Sequence, residues 1–265
     1  MLKAEHLLIR LLGKKVFCAN HQGYLNWTRM GKIAQHGVFL ENNIPIVPTN
    51  IFYQKEQILN PSAPAGAGAP PLDKGGRAPG DFFGWGWPVI AKHERGYQGK
   101  SVKKFDNWEE EKKWVEKIQE KNLGMFLWQK YLPTRWDIRV IVLDGVAIGA
   151  MKRSAVGNEF RSNFSLGGAV EKWELSDNDK LLAEKVAEVC GLDYGGVDIM
   201  KSLKSPSPAS AGASLFEERG TFKEEDYDSY VLEVNRQCQF QGFEKSTGIN
   251  VAKMVVEMFL KKNSG

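Results

Sequence analysis

The segment DIRVIVLDGVAIGAMKR, residues 137–153, constrains the fold of this chain more than any other. Two apolar runs rich in β-branched residues flank Asp144 and Gly145. An Asp-Gly pair in that setting is a strong signal for a two-residue β-hairpin turn. The segment therefore predicts two adjacent antiparallel strands. Helical patterns such as SDNDKLLAEKVAEVCG, with Ser176 as N-cap and Gly191 as the stop, make the predicted class α+β.

Other elements follow from the same kind of pattern. The apolar run in PVIAKHE, which ends at Lys92, predicts a strand buried on both faces, and MFLWQKYLP is also strand-like. DNWEEEKKWVEKIQEKN predicts a surface helix whose capping box is formed by Asp106 and Glu109. STGINVAKMVVEMFLKK predicts a C-terminal amphipathic helix.

Composition and charge narrow the function classes. The chain has 265 residues, 42% of them hydrophobic, which is enough for one large domain or two small ones. Its net charge of +4 suits a phosphate-bearing ligand but falls short of the basic stripe of a nucleic-acid binder. The three cysteines lack metal-ligand spacing and are expected to be reduced thiols. The first apolar run is too short to span a membrane, so a cytoplasmic protein is expected.

Two segments rich in Pro, Ala, Gly and Ser interrupt the patterned sequence, at about 60–80 and 204–222. They contain too few branched or aromatic residues to form a core. We interpret both as loop insertions within a fold and not as domain boundaries.

Carboxylates lie within two apolar strand patterns near the C-terminus. In YVLEVN, strand alternation places Glu233 and Asn235 on one face and Leu232 and Val234 on the other, while GGVDIM embeds Asp198. A buried carboxylate is costly unless a cation compensates it. Two carboxylates and an amide oxygen form a hard ligand set suited to Mg²⁺. Ion pairs with neighbouring lysines are the alternative interpretation.

Two basic segments are candidate anion sites. Lys92 is followed by a turn between Gly96 and Gly99, where backbone amides can approach phosphate oxygens, although glycine turns are common in hairpins. The segment KRSAVGNEFRSNFSLGG is dense in arginine and amide donors, which suits stabilisation of developing negative charge. A solvated basic loop is the alternative. Its candidate residues are Arg153, Arg161, Ser162 and Asn163.

Taken in order, these motifs resemble the RimK-type ATP-grasp ligases, which include ribosomal-protein glutamate ligases and enzymes acting on amino-group carrier proteins. The segments that carry the resemblance are TRMGKIAQHGVFLENNIPIVPT, PVIAKHERGYQGKSV, WQKYLPTRWDIRVIV, AMKRSAVGNEFRSNFSLGG, GVDIM and LEVN. The resemblance implies an ATP-grasp fold over residues 31–265, with two α+β subdomains that clasp the nucleotide. It makes residues 1–30 a residual N-terminal segment in place of the family's usual N-terminal domain.

The resemblance also implies roles for individual residues. Lys32 and Lys92 correspond to lysines that contact the nucleotide phosphates, and the turn from Gly96 to Gly99 corresponds to a glycine loop that closes over them. The predicted metal ligands are Asp198, Glu233 and Asn235. The remaining nucleotide contacts are Lys130 and Tyr131 at the adenine, Asp137 near the ribose, and Arg161, Ser162 and Asn163 near the phosphates. Arg153 and Asn163 would stabilise charge at the reacting centre. The family usually has glutamate where this chain has Lys130.

The implied reaction is ATP-dependent and ADP-forming. A carboxylate is phosphorylated to an acyl phosphate, and an amine on a small molecule or protein terminus then attacks to form an amide. The expected cofactors are ATP and Mg²⁺ or Mn²⁺, with two ions. Many relatives self-associate, so a homo-oligomer is an alternative to a monomer. A nucleotide-binding module without ligase activity and a kinase-like phosphotransferase remain alternatives.

Overall fold

The computed structural model describes residues 16–27, 30–59, 86–96, 101–134, 136–155, 169–203 and 227–264. The two low-complexity segments lie outside these ranges. The helices are α1 (His21–Asn26), α2 (Lys32–Glu41), α3 (Glu56–Leu59), α4 (Trp108–Lys117), α5 (Asp177–Val189), α6 (Gln241–Thr247) and α7 (Val251–Asn263), with a 3-10 helix at Glu120–Met125. The strands are β1 (Thr49–Asn50), β2 (Val89–His93), β3 (Val102–Phe105), β4 (Phe126–Lys130), β5 (Trp136–Leu143), β6 (Val146–Ser154), β7 (Ala169–Trp173), β8 (Tyr194–Leu203) and β9 (Tyr227–Asn235). The α+β prediction is confirmed.

The described residues divide into two compact units. The larger unit takes its residues from the ranges 1–30, 34–46 and 133–265, and the smaller unit from 31–33 and 47–132. The predicted boundary after residue 30 stays a prediction. In the part of the chain that the structure describes, no helix is long and apolar enough to cross a membrane.

The smaller unit is built on an antiparallel sheet of four strands in the order β1-β4-β2-β3. Val89 and Ala91 of β2 and Trp128 of β4 are buried in its core. The predicted strand at PVIAKHE is confirmed, but only Val89–Ala91 are buried, while Lys92 and His93 are half-buried. Val89–Ala91 therefore pack in the core, and Lys92 lies near the end of the strand, where burial is less complete.

Helix α4 begins one residue later than the predicted capping box implies. Asn107, and not Asp106, is the N-cap, because its side chain accepts the Glu110 N–H at 3.0 Å. Glu110 in turn accepts the Asp106 N–H at 3.2 Å. The box is thus Asn107 with Glu110, and the prediction of Asp106 with Glu109 is wrong because a second capping-competent residue follows directly.

A buried carboxylate lies between two indoles of the smaller unit. Glu111 on α4 is 3% exposed and accepts the Trp87 Nε1–H at 3.1 Å and the Trp128 Nε1–H at 2.9 Å. Burial raises the pKa of Glu111 to about 7, although the hydrogen bonds from Trp87 and Trp128 act in the opposite direction. In the folded chain the carboxyl group of Glu111 therefore stays uncharged up to a pH of about 7.

We expect this carboxyl group to make stability depend on pH. Because its pKa is higher in the folded chain than the ordinary 4.5, its contribution is complete below about 4.5 and is lost as the pH rises through about 7. The free energy of unfolding of the wild type, measured relative to Glu111→Gln, should fall by roughly 3 kcal/mol over this range. Chemical unfolding followed by tryptophan fluorescence checks this. Glu116→Gln, an exposed change on the same helix, is the control, and a flat difference curve for Glu111→Gln would contradict the expectation.

The larger unit is built on an antiparallel sheet of five strands in the order β7-β6-β5-β8-β9. Asp144 and Gly145 have φ angles of 50° and 78° and close the hairpin between β5 and β6, which confirms the prediction at this turn. One face of the sheet packs on α5 through a core that includes Val140, Val197 and Val186. The other face packs Ile141 and Met151 against Phe243 of α6.

The edge strand β9 contains a bulge. Asp198 pairs with Glu233 and the next residue, Ile199, pairs with Val231, so Leu232 is an extra residue. Val231 and Val234 are both buried in the core. The strict alternation predicted for YVLEVN is therefore interrupted at Leu232.

Both ends of α5 follow the sequence signals. Ser176 caps α5 by accepting the Asp179 N–H at 3.2 Å, and Gly191 follows the helix with a φ of 66°. Both predictions are confirmed. The predicted C-terminal helix is interrupted, since Gly248 ends α6 with a φ of 75° and Asn250 caps α7. The sequence from 241 to 263 therefore forms two helices.

The segment before α2 packs firmly within the larger unit. Asn20 is 3% exposed, and its side chain donates to the carbonyl oxygens of Tyr194 at 2.7 Å and Arg236 at 3.1 Å. The guanidinium of Arg236 lies 4.3 Å from the ring centroid of Tyr24. This segment is thus held against the turn that follows β9.

Candidate functional site

Charged side chains form a row across the face of the larger sheet that carries Ile141 and Met151. Cross-strand register pairs Arg153 with Asp137, Arg139 with Asp198, and Asp198 with Glu233. Residues directly opposite in an antiparallel sheet project to the same side. The row therefore runs over β6, β5, β8 and β9, and it contains the predicted metal ligands together with Arg153 and Asp137.

Two arginines compensate Asp198. Arg139 makes a bidentate pair with it, in which Nε lies 2.7 Å from Oδ1 and Nη2 lies 2.7 Å from Oδ2. Arg153 adds a contact from Nη2 to Oδ2 at 3.1 Å, while its Nε lies 2.5 Å from Asp137 Oδ1. The sequence left open whether a metal ion or lysines balance this charge. Among the described residues the balance comes from arginines.

Burial and charge compete in this network. Burial disfavours ionised Asp198, but the charges of Arg139 and Arg153 outweigh it and hold the pKa of Asp198 below its usual value. Burial likewise disfavours charged Arg153, yet Asp137 and Asp198 keep the pKa of Arg153 above its usual value. Each charge in the row is thus stabilised by its neighbours. Arg153 lies in β6, as the hairpin predicted over residues 137–153 requires, and it is 3% exposed, so the alternative of a solvated basic loop is wrong for this residue.

The donor atoms fit a hard cation. Asp198 Oδ2 accepts from both arginines and, at 3.4 Å, from Asn235 Nδ2, whereas Oδ1 accepts from Arg139. A carboxylate has about four lone-pair positions, so Oδ1 retains room for a cation. Because Asn235 uses Nδ2 for this contact, its side-chain carbonyl oxygen is the atom with which it could bind a metal ion. Glu233, opposite Asp198 on the next strand, could supply a third oxygen ligand.

These three residues contain only two carboxylates. Within the described ranges, no group of three or more His, Cys, Asp or Glu side chains is placed to hold a metal ion. The predicted ligand set of Asp198, Glu233 and Asn235 does not count as such a group, because its third member is an amide. A Mg²⁺ ion bound here would also need oxygen atoms from a substrate or water.

The strand that carries Glu233 and Asn235 is held by a buried glutamine. Gln35 of α2 is 5% exposed, and its Nε2 donates to the carbonyl oxygen of Val234 at 3.0 Å while its Oε1 accepts the Val234 N–H at 2.8 Å. Val234 lies between the two predicted ligands. Gln35 therefore fixes the backbone of β9 between Glu233 and Asn235.

We expect Arg153 to be important for folding as well as for chemistry. Arg153→Ala removes the guanidinium that contacts the buried carboxylates of Asp137 and Asp198, so the free energy of unfolding should fall by about 3–5 kcal/mol. Chemical denaturation measures this. Lys172→Ala is the control, because Lys172 pairs with Glu174 at the surface, where side chains are 59% and 89% exposed, and its loss should cost less than about 1 kcal/mol. A similarly small loss for Arg153→Ala would contradict the network.

In the smaller unit the structure brings Lys32 and Gly96 together. Lys32 is the first residue of α2, and its Nζ donates to the Gly96 carbonyl oxygen at 2.8 Å. Lys92 lies near the end of β2 and is half-buried. Two of the predicted phosphate contacts are therefore joined directly, while Lys92 is presented by the strand that leads into the same turn.

The backbone at Lys130 and Tyr131 has a particular arrangement. The Lys130 N–H donates to the Pro48 carbonyl oxygen at 3.0 Å, and the Tyr131 N–H donates to that of Pro88 at 3.3 Å. Proline has no N–H, so neither proline can return a hydrogen bond to the paired residue. The N–H groups are used within the unit, which leaves carbonyl oxygens as the groups with which these residues would contact an adenine amino group. The side chain of Lys130 is exposed.

Some predicted site residues lie outside the described residues: Gly99, Arg161, Ser162 and Asn163. Other contacts were missed by the sequence reasoning, namely those of Arg139, Gln35 and Glu94. For Arg139 a signal was present, because it is two residues from Asp137 in a strand and therefore shares its face. The contact of Gln35 with Val234 spans 199 positions and has no local signal.

Comparison with known proteins identifies the family. The RimK-like ATP-grasp domain matches residues 81–214, about half of the chain. The chain belongs to this RimK-like ATP-grasp family, as the resemblance predicted. A probable alpha-L-glutamate ligase 2 of Pseudoalteromonas atlantica is 33% identical over 181 residues, which cover 66% of this chain and 51% of that protein. The chain thus spans about half the length of that curated relative.

Solved structures support the fold. The ATP-grasp ligase PsnB, in complex with a phosphomimetic variant of its minimal precursor, Mg and ADP, has a TM-score of 0.58 at 20% identity over 88% of this chain and 58% of that chain. The D-alanine–D-alanine ligase of Bacillus anthracis has a TM-score of 0.53 at 15% identity over 88% of this chain and 67% of that chain. The ATP-grasp fold prediction is confirmed.

Proposed function

We propose that this protein is an ATP- and Mg²⁺-dependent carboxylate–amine ligase that forms ADP. The observation that carries the proposal is the placement of Asp198, Glu233 and Asn235 on one face of a sheet in a chain of the RimK-like ATP-grasp family. The fold alone does not define an activity. The donor set supports the proposal, because it suits Mg²⁺ with a polyphosphate substrate.

The proposed reaction has two steps. A carboxylate oxygen of the substrate attacks the γ-phosphorus of ATP, the bond to the β-phosphate oxygen breaks, and ADP leaves. An amine nitrogen then attacks the acyl carbon, phosphate leaves, and the nitrogen loses a proton to give an amide. Mg²⁺, when bound, would neutralise charge on the phosphate oxygens. We propose that two ions take part, held by Asp198, Glu233 and Asn235.

The remaining predicted residues bind and orient the substrates in this proposal. Lys32 and Lys92 would contact phosphate oxygens as point charges. The carbonyl oxygens at Lys130 and Tyr131 would accept from the adenine amino group. Asp137 is 3% exposed and paired with Arg153, so its proposed influence on the ribose passes through the network and not through an exposed carboxylate. Gly99, Arg161, Ser162 and Asn163 are retained as proposed contacts, and Arg153 and Asn163 as stabilising groups at the reacting centre.

We expect Glu233→Gln to abolish Mg²⁺-dependent turnover, because it removes one of two charged ligands. The measurement is ADP release with L-glutamate and a panel of carboxylates and amines, with products identified by mass spectrometry. L-glutamate is tested first because of the relative from Pseudoalteromonas atlantica. Glu257→Gln on α7, whose side chain is 60% exposed, is the control. Full activity of Glu233→Gln would exclude the metal assignment.

We expect Lys92→Ala to weaken ATP binding by roughly tenfold or more, as loss of a charge-assisted contact with phosphate would do. Titration calorimetry with ATP and with adenosine separates the phosphate contribution from that of the base. Lys113→Ala on α4, an exposed lysine of the same unit, should leave both affinities unchanged. An ATP affinity equal to that of the wild type would argue against a phosphate role for Lys92.

The same assays distinguish the other functions. ATP hydrolysis or phosphate transfer without an amide product would indicate a phosphotransferase, and ATP binding without turnover would indicate a binding module. We further propose a cytoplasmic protein that self-associates, with an amino acid or another carboxylate as one substrate and an amine on a small molecule or protein terminus as the other. The family membership supports the choice of substrate classes.

A further inference from the structure

Helix α2 begins without a capping side chain of its own. Gly31 directly precedes its first residue, Lys32, and so occupies the N-cap position. The first N–H groups of a helix have no partner within the helix and normally receive one from the N-cap side chain. Glycine has no side chain that could accept them.

Glu94 supplies the missing acceptor from the turn that follows β2. Its Oε2 accepts the Ile33 N–H at 2.6 Å, which is the N–H that an N-cap side chain would normally bind. A Cβ atom at position 31 would lie 1.8 Å from Glu94 Oε1. Gly31 and Glu94 are therefore complementary, because the carboxylate occupies the space of the absent side chain.

The same turn also holds Lys32. Glu94 is fixed by its own N–H, which donates to the Met125 carbonyl oxygen at 2.7 Å. Two residues later, the Gly96 carbonyl oxygen accepts from Lys32 Nζ at 2.8 Å. Gly96 is tied back to His93 by an N–H···O bond of 2.9 Å. Two hydrogen bonds thus join the first turn of α2 to residues 94–96, one on each side of Arg95.

We propose that Glu94 is a positioning residue that caps α2 from the neighbouring turn and so fixes Lys32 and Gly96 for binding of the ATP phosphates. This inference rests on the proposed function. Its physical basis is pre-organisation, since a side chain held in place before binding loses less conformational entropy on binding. A carboxylate at a helix N-terminus is also favoured by the helix dipole.

The test is Glu94→Ala, with two measurements. Calorimetry should show roughly tenfold weaker binding of ATP, while adenosine, which has no phosphate, should bind as to the wild type. Amide hydrogen exchange without nucleotide should be faster in the first turn of α2. Glu116→Ala, an exposed glutamate of the same unit, is the matched control and should change neither quantity.

A second variant distinguishes a cap from a general structural role. Gly31→Asp in the Glu94→Ala background restores an N-cap side chain in the space that Glu94 leaves, so both ATP affinity and exchange protection should return toward wild type. Gly31→Asp alone places a carboxylate against Glu94 and should weaken ATP binding.

The possible outcomes distinguish the role of Glu94 from the proposed function. Unchanged exchange in Glu94→Ala, unchanged or tighter ATP binding, or no recovery in the double variant would each overturn the role of Glu94. Failure of the wild-type protein to bind ATP would overturn the proposed function and this inference with it. The exchange measurement reports on the cap in either case.

Discussion

The paired charges of Asp137, Arg153, Asp198 and Arg139 are the interaction on which the larger unit depends. Each of these groups would be unfavourable alone in a buried position. Cross-strand register places them in alternating sign across β6, β5 and β8, so each desolvation cost is offset by a neighbour. The arrangement also restricts the strands, since any slip in register would separate partners that cannot be left unpaired.

The same network connects structural and chemical roles. Arg139 and Arg153 contact the carboxylate of Asp198, and Glu233 lies opposite Asp198 in the next strand. The residues that stabilise the sheet are therefore also the ones predicted to hold a cation. The arginines that keep Asp198 ionised are thus also the groups with which a bound ion would compete for its oxygen atoms.

Much of this architecture could be predicted from the sequence, and the reason is locality. The hairpin at Asp144 and Gly145, the cap at Ser176 and the alternation around Asp198 depend on residues within a few positions of each other. The family followed from several such motifs in order. The pairing of Asp198 with Arg139, 59 positions apart, and of Ile33 with Glu94, 61 positions apart, depends on the assembled sheets. Neither pattern alone reveals its partner.

The errors have the same origin. Asp106 and Asn107 both suit an N-cap, and only the packed helix selects Asn107. The segment that begins at Lys152 was also interpreted as a basic loop, whereas the pairing of Arg153 with Asp137 keeps Arg153 within β6. Local composition therefore gave the elements and their order, while tertiary contacts decided their ends.

The extra residue in β9 reconciles two demands that a regular strand could not meet together. Ile199 must lie opposite Val231 for the core, and Asp198 lies opposite Glu233 in the charged row. Because side chains alternate strictly, a regular strand aligned on Val231 would set Leu232 against Asp198 and Glu233 against Val197, so the carboxylate would project into the apolar core. Leu232 therefore shifts the register of β9 by one residue. It lets one continuous segment satisfy the core on one side of the bulge and the charged row on the other.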